Sequence, residues 1–472
     1  MRLSELLIIG CASLTLVGCA LPRVDADAPP PLASTAPPQW QAPLPHNGTL
    51  SDLTRWWQDL GDPLLVELLD AAQQASPSLA SAHARVVQSR AALRQARAAQ
   101  GPSLDGSASA ARSDTIVGSP PTTTLQAGLA ASWEIDVFGA NRLASEAAQA
   151  RLDSAQAAWH DARVLVAAEV ASRYFNQRAC EQQRRIAQAD AVSRQETARL
   201  SDLTFKAGFT PSGTAALARA AASDANGRAL RQGALCSLGV KALVALTGLP
   251  EATLAQRLEQ AAPALAHDAR LVVASLPADT LAQRPDLFAA QRDIAAARAE
   301  LGGAQVQRYP RIALSGSIGA LHYNAAGSSG EMATWSIGPL ALSVPLFDGG
   351  RREAGVTAAQ ARYEESVALY RAQVRQAVRE VEQALVTLQS TQARVADATT
   401  AEAGYRAWQD ATEARYQGGL ASLAELEDVR RTRLAAADAL VALRLERIQA
   451  WIDLYRAAGG GWTRPAATPG QP

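Results

Sequence analysis

Glu134 and Asp136 stand two apart in Trp133-Glu134-Ile135-Asp136, a spacing that places both carboxylates on one face of a strand and could serve paired acid–base chemistry. The other chemistry-bearing types are dispersed. The five histidines, His46, His83, His160, His267 and His322, form no His-x-x-x-His pair for a metal ion. Gly349-Gly350 follows Asp348 and opens a helix without the lysine that a phosphate-binding loop requires. These residues predict no catalytic site, no metal site and no cofactor, so the chain is not expected to be an enzyme. A solvated strand face accounts for Glu134 and Asp136 better than catalysis does.

Composition narrows the classes further. Lys+Arg 45 balances Asp+Glu 45, so no basic excess points to a nucleic-acid partner. Aromatic residues are only 5%, and alanine is abundant in their place. Alanine combines the best helix propensity with a side chain small enough for close helix packing.

The elements that dominate the chain are two long arms. Residues 141–246 carry apolar residues at helical spacing, among them Leu143, Ala147, Ala150, Ala157 and Val164, and break only at Lys206-Ala207-Gly208-Phe209-Thr210-Pro211. This predicts two helices folded back at the break, the first on the order of 100 Å long at ~1.5 Å per residue. The design recurs about 210 positions later: Phe205-Lys206-Ala207-Gly208 corresponds to Tyr416-Gln417-Gly418-Gly419, and Glu169-Val170 to Glu380-Val381. Each half reads as a helix, two short strands and a long helix pair. The first repeat covers residues 51–250, with strands near 103–115 and 122–136 and the helix pair at 141–247. A linker at 251–280 leads to the second repeat at 281–460, with a helix at 285–309, strands near 311–323 and 334–346, the helix pair at 350–458 and a tail at 461–472.

The N-terminus reads as an address. Residues 1–18 have a short basic start and an apolar run too short to span a bilayer, which is the pattern of a signal peptide. Leu16-Val17-Gly18-Cys19 resembles a bacterial lipobox, which makes Cys19 the expected acylation site, and Ala20 after it permits sorting to the outer membrane. An acyl group anchors without spanning. Residues 19–50 are proline-rich and predict an extended linker.

After the signal, no apolar run reads as a membrane helix. Four segments alternate instead. Leu125, Ala127, Leu129, Ala131, Trp133 and Ile135 oppose Gln126, Gly128, Ser132, Glu134 and Asp136; Ile312, Leu314, Ile318 and Ala320 oppose Ala313, Ser315, Ser317 and Gly319. Pro339 and Pro345 predict bulges in the last strand. Such segments fit a barrel in lipid or a half-buried soluble sheet. Four strands cannot close a membrane barrel, and lipid does not tolerate open edges, so a membrane reading demands several copies.

Trp133-Glu134-Ile135-Asp136-Val137-Phe138-Gly139, Arg284-Pro285-Asp286, Pro345-Leu346-Phe347-Asp348-Gly349-Gly350 and Leu454-Tyr455-Arg456-Ala457-Ala458-Gly459-Gly460-Gly461-Trp462 stand in the order and spacing of TolC-like outer-membrane efflux lipoproteins, the NodT type among them. The chain resembles that family over nearly the whole of its mature length. The resemblance implies a mostly α fold with membrane β, in which a homotrimer forms a twelve-stranded outer-membrane barrel continued by a helical periplasmic tunnel. It implies the exit duct of a tripartite pump, joined through a periplasmic adaptor to an inner-membrane transporter. It also implies adaptor docking at the tips, Gly208, Phe209 and Thr210 in one half and Gly419, Leu420 and Ser422 in the other. A gate is implied near Leu423 and Ala424, with acidic residues at Glu425 and Asp428. A plain helix turn and an acidic helix N-terminus remain alternative readings of these positions. A duct for secreted polypeptide and a periplasmic coiled-coil scaffold without a pore remain alternative functions.

Cys180 lies about as far before the first turn as Cys236 lies after it, so the two should be level on neighbouring antiparallel helices. An oxidising periplasm would then join them, where the alternative is two buried thiols.

Overall fold

The computed structural model describes residues 36–42, 56–114, 121–261, 277–325 and 328–464. In chain order it contains α1 (Trp56–Asp59), α2 (Pro63–Ala75), α3 (Pro77–Ala98), β1 (Ser103–Ser113), β2 (Thr122–Ile135), α4 (Ala140–Lys206), α5 (Ser212–Thr247), α6 (Glu251–Gln260), α7 (Pro277–Leu281), α8 (Pro285–Val306), β3 (Arg311–Ala325), β4 (Ser328–Ser343), α9 (Arg351–Gln417) and α10 (Leu423–Ala457). The duplicated helix–strand–strand–helix-pair order is therefore present, with α4 and α9 each 67 residues long. Three boundaries differ from expectation. β4 starts six residues earlier than 334 and stops before Val344, because it pairs with β3 up to Ala325↔Ser328. Residues 251–280 are not simply a linker: Pro250 starts α6, whose Leu254 and Leu258 are buried. Ile135 ends β2, so Asp136 is not a strand residue; it accepts from the backbone N–H groups of Asn141 and Arg142 at the start of α4.

The chain forms two compact units, and each draws on both repeats. The first holds residues 84–156 and 289–370, with all four strands. They form one antiparallel sheet in the order β1-β2-β3-β4. Cross-strand partners share a face, so the register sorts the side chains. Trp133 pairs with Leu314 and Leu314 with Leu340; Leu129 pairs with Ile318 and Ile318 with Trp335. That face is a band of large apolar residues, most of them exposed. The opposite face is dominated by hydroxyls: the Ser103 and Ser132 hydroxyls are 2.8 Å apart and those of Ser317 and Ser336 2.9 Å. The ladder slips between Leu314 and Gly316, opposite Gly338 and Pro339, where proline has no N–H to donate. Gly128 and Gly319 let the strands close up, since a Cβ on either would lie 3.0 Å from a carbonyl oxygen of the adjacent strand. Asp348 repeats the capping role of Asp136, accepting from the N–H groups of Gly350 and Arg352 at the start of α9.

The second unit holds the described residues within 30–83, 157–288 and 371–472. Its core joins Leu65, Leu68, Tyr174, Phe175, Leu243 and Leu254 with Val381 and Leu385 of α9 and Leu454 of α10. Asp62 caps α2 by accepting from Leu64 and Leu65, and also accepts from the Tyr174 hydroxyl at 2.5 Å. Arg178 donates to that hydroxyl, to Glu181 and to the Leu258 carbonyl, which ties α2, α4 and α6 together. Contrary to expectation, α5 is long and apolar enough, by length and composition alone, to cross a bilayer. Its apolarity comes from alanine, leucine and valine spread around the helix, while Arg219, Asp224, Arg228 and Arg231 punctuate its first twenty residues.

Candidate functional site

The two helix turns are built alike. Gly208 and Gly419 adopt left-handed backbone, φ +81° and +71°, which ends α4 and α9 without a Cβ clash. The next N–H reaches back five residues in each case: Phe209 to the Thr204 carbonyl at 2.9 Å and Leu420 to the Arg415 carbonyl at 2.8 Å. This closure drives both apolar side chains outward, so Phe209 is 84% and Leu420 75% exposed. The starts of the following helices differ. Ser422 caps α10, accepting from the Glu425 N–H at 3.1 Å. Thr210 does not cap α5; its hydroxyl donates to that of Thr204 at 2.8 Å, and Pro211 takes the cap position. Both turns thus present one large apolar residue beside small polar ones, a surface suited to a protein partner.

Leu423 is half-buried and Ala424 exposed at the start of α10. The carboxylates beside them are not bare. Glu425 accepts from Arg415 and Asp428 from Arg431, both at 2.8 Å. An acidic ring built from Asp428 would therefore be tempered by an arginine in every copy. Glu427 behaves differently and reaches across to α4. Its Oε1 accepts from the Thr197 hydroxyl at 2.8 Å and from Arg430 at 3.1 Å. Arg430 also donates to the Ser193 hydroxyl at 3.0 Å and to Glu413 at 3.1 Å. One guanidinium so latches α4, α9 and α10. Sequence reasoning singles out Glu425 and Asp428 at this turn but does not reach Arg430, Ser193, Thr197 and Glu413. The Glu427-x-x-Arg430 spacing is visible in the sequence; partners more than 200 positions away are not.

Cys180 and Cys236 are joined by a disulfide with Cα atoms 5.6 Å apart, which links α4 to α5. Cys19 and the signal segment lie outside the described residues. Residues 36–42 lie in the expected linker, and the N–H groups of Gln41 and Ala42 both donate to Glu382 on α9.

The Arg284-Pro285-Asp286 motif forms a second polar node. Arg284 grips Asp286 with two nitrogens at 3.0 and 2.7 Å, and its third reaches Glu380 at 2.9 Å and the Ala457 carbonyl at 3.1 Å. The Gly459 that follows α10 is needed beside it: a Cβ there would sit 2.1 Å from the Gln283 carbonyl oxygen. Asp161 on α4 faces this node. Burial first, then the negative charge of Asp286, pushes its carboxyl up to about 6, against the opposing pull of Arg284 and Arg456. Burial, with Arg163 nearby, lowers the neighbouring His160, so its imidazole is neutral at pH 7.

The sequence profile of the outer membrane efflux protein family matches residues 68–249 and 276–460. The pyoverdine export outer membrane protein OpmQ of Pseudomonas aeruginosa is 30% identical over 447 residues, 90% of this chain and 91% of that protein. The solvent efflux pump outer membrane protein SrpC of Pseudomonas putida is 29% identical over 85% of this chain and 86% of its own. Among solved structures, the MtrE outer membrane channel of Neisseria gonorrhoeae in its open state superposes with a TM-score of 0.74 at 25% identity, covering 92% of this chain and 99% of that one. With both repeats matched by the profile and with open strand edges, capped strand–helix junctions and paired helix turns in place, the chain belongs to the outer membrane efflux protein family.

Proposed function

We propose that three copies of this chain close a twelve-stranded barrel in the outer membrane and act as the exit duct of a tripartite efflux pump for small amphipathic compounds. The sheet supports this reading above all. It has a band of large apolar residues on one face, a hydroxyl-lined opposite face, and β1 and β4 at its two edges. Lipid does not tolerate open edges, and the meander order sets β4 of one copy antiparallel to β1 of the next. Closure by three copies gives a wet lumen lined chiefly by serine and threonine, with the carboxylates of Asp105 and Glu134 among them. The Gly208–Thr210 and Gly419–Ser422 turns then meet a periplasmic adaptor that leads to an inner-membrane transporter. Leu423 and Ala424 narrow the lumen, Glu425 and Asp428 line it, and acylated Cys19 holds the assembly to the membrane.

Planar-bilayer recording of the purified full-length protein tests the pore, with discrete single-channel currents expected. A trimer silent at all voltages and pH values would favour the scaffold without a pore. Docking has its own handle, because Lys206 and Lys241 are the only lysines and Lys241 is paired with Glu251. An amine-reactive crosslinker should capture the adaptor through Lys206, beside the first turn.

A further inference from the structure

The two helix hairpins are held together by different means. In α5 the buried positions nearest the turn are Ala215, Ala222 and Ala225, and on α4 they are Ala191, Ala198 and Ser201. This seam of small side chains removes little apolar surface from water. At its upper end stands Cys236, 3% exposed and in the same seven-residue rhythm as Ala215, Ala222 and Leu243. In the second hairpin the buried positions nearer the turn are Leu426, Val429, Leu440, Val441 and Leu443 on α10 and Thr391, Glu402 and Thr412 on α9, so its apolar clamp comes from α10, and it holds no cysteine. At the level of the disulfide, α9 and α10 are bridged by the exposed Arg394–Glu446 ion pair.

We infer that the Cys180–Cys236 disulfide replaces the missing hydrophobic clamp of the first hairpin and fixes the axial register of α4 against α5, so that the Phe209 turn is presented rigidly. Cys180 lies about 39 Å from the end of α4 and Cys236 about 36 Å from the start of α5, taking ~1.5 Å per residue. The staple therefore sits at the root of the free arms. Below it, α4 and α5 are bridged by ion pairs such as Arg228–Asp190 and Arg219–Asp202, which exchange partners easily at a wet surface. A covalent bond forbids sliding of one helix past the other, where ion pairs only disfavour it. Reduction to two thiols would then loosen the first turn alone. The inference rests on the proposed role of the turns in docking.

Hydrogen exchange of the assembled trimer, with the disulfide intact and after phosphine reduction, measures this directly. Reduction should speed amide exchange in residues 185–232 by about tenfold or more, and leave residues 395–440 unchanged. The Cys180→Ser/Cys236→Ser double variant should exchange like the reduced protein. Cys180→Val/Cys236→Leu, which rebuilds an apolar seam without the bond, should restore most of the protection. Unchanged exchange in residues 185–232 on reduction and in the serine variant, or equal loosening of both hairpins, would overturn the inference. Crosslinking of the oxidised protein to the adaptor through Lys206 reads the docking role separately: its failure would remove that role while leaving the exchange result intact.

Discussion

One guanidinium nitrogen of Arg284 donates both to Glu380 on α9, at 2.9 Å, and to the carbonyl of Ala457 at the end of α10, at 3.1 Å. With the bidentate grip on Asp286, the side chain joins the start of α8 to both helices of the second hairpin. Its side chain is only 9% exposed, so its removal would strand two carboxylates and a carbonyl. Arg284→Ala should destabilise the fold by about 3–5 kcal/mol, the range for breaking a buried pair from one side. Arg284→Lys keeps the charge but not the fork and should lose a smaller part. Chemical denaturation of the detergent-solubilised protein checks the order; equal stability of all three proteins would refute it.

Two glycines with similar backbone should respond differently to alanine. At Gly208 (φ +81°) a Cβ would meet nothing within 4 Å, so Gly208→Ala should cost only the left-handed strain, about 1 kcal/mol. At Gly459 (φ +88°) a Cβ would overlap the Gln283 carbonyl, with oxygen and carbon at 2.1 and 2.7 Å. Backbone must move there, and Gly459→Ala should cost several kcal/mol, on the order of 3 or more. Thermal unfolding of the two variants side by side separates the cases.

What the sequence makes legible depends on the distance along the chain between partners. The repeats, the paired turns at Gly208 and Gly419, and the alternation around Trp133 and Ile318 are local periodic signals, and they carry the architecture. The level of Cys180 with Cys236 follows from counting residues on either side of one turn. The start of β4 is hidden because Ser328-Ser329-Gly330 has the composition of a turn, whereas these residues pair with Tyr323, Asn324 and Ala325. Asp136 looks like a strand carboxylate because alternation cannot tell the last strand residue from a helix cap. The Arg430 latch is invisible in the sequence, since its partners on α4 come close only after the whole first hairpin has packed.

Asp161 links stability to pH. Its carboxyl titrates at about 6 in the fold against 3.8 for the unperturbed group, a raised value caused chiefly by burial. Between these values the native state holds a proton that the unfolded chain has released. This contribution is therefore fully present below about pH 4 and lost as pH rises through 6. Asp161→Asn should be the more stable protein at pH 7 to 8 by about 2–3 kcal/mol, with the difference vanishing below pH 4. Denaturation of both proteins across pH 4 to 8 tests the sign; a difference independent of pH would show that Asp161 does not titrate in this range.

The Arg430 latch should govern opening if the second hairpin is the moving part. Arg430 joins Ser193 on α4, Glu413 on α9 and Glu427 on α10, and its side chain is 23% exposed. Partial exposure limits each contact to about 1 kcal/mol, and only the one to Ser193 crosses from the second hairpin to the first, so Arg430 biases one protomer by about 1 kcal/mol. Loss of that bias in all three copies, about 3 kcal/mol together, would shift a closed–open equilibrium by about two decades. Arg430→Ala should therefore raise the open probability in planar bilayers sharply. Arg415→Ala removes the Glu425 pair, which lies within the second hairpin and ties nothing to α4, and should change it little. Thr197→Val removes one donor to Glu427 without altering charge and should fall between them. If Arg415→Ala opened the channel more than Arg430→Ala did, the restraint on the gate would lie at the turn itself and not in the contact between the hairpins.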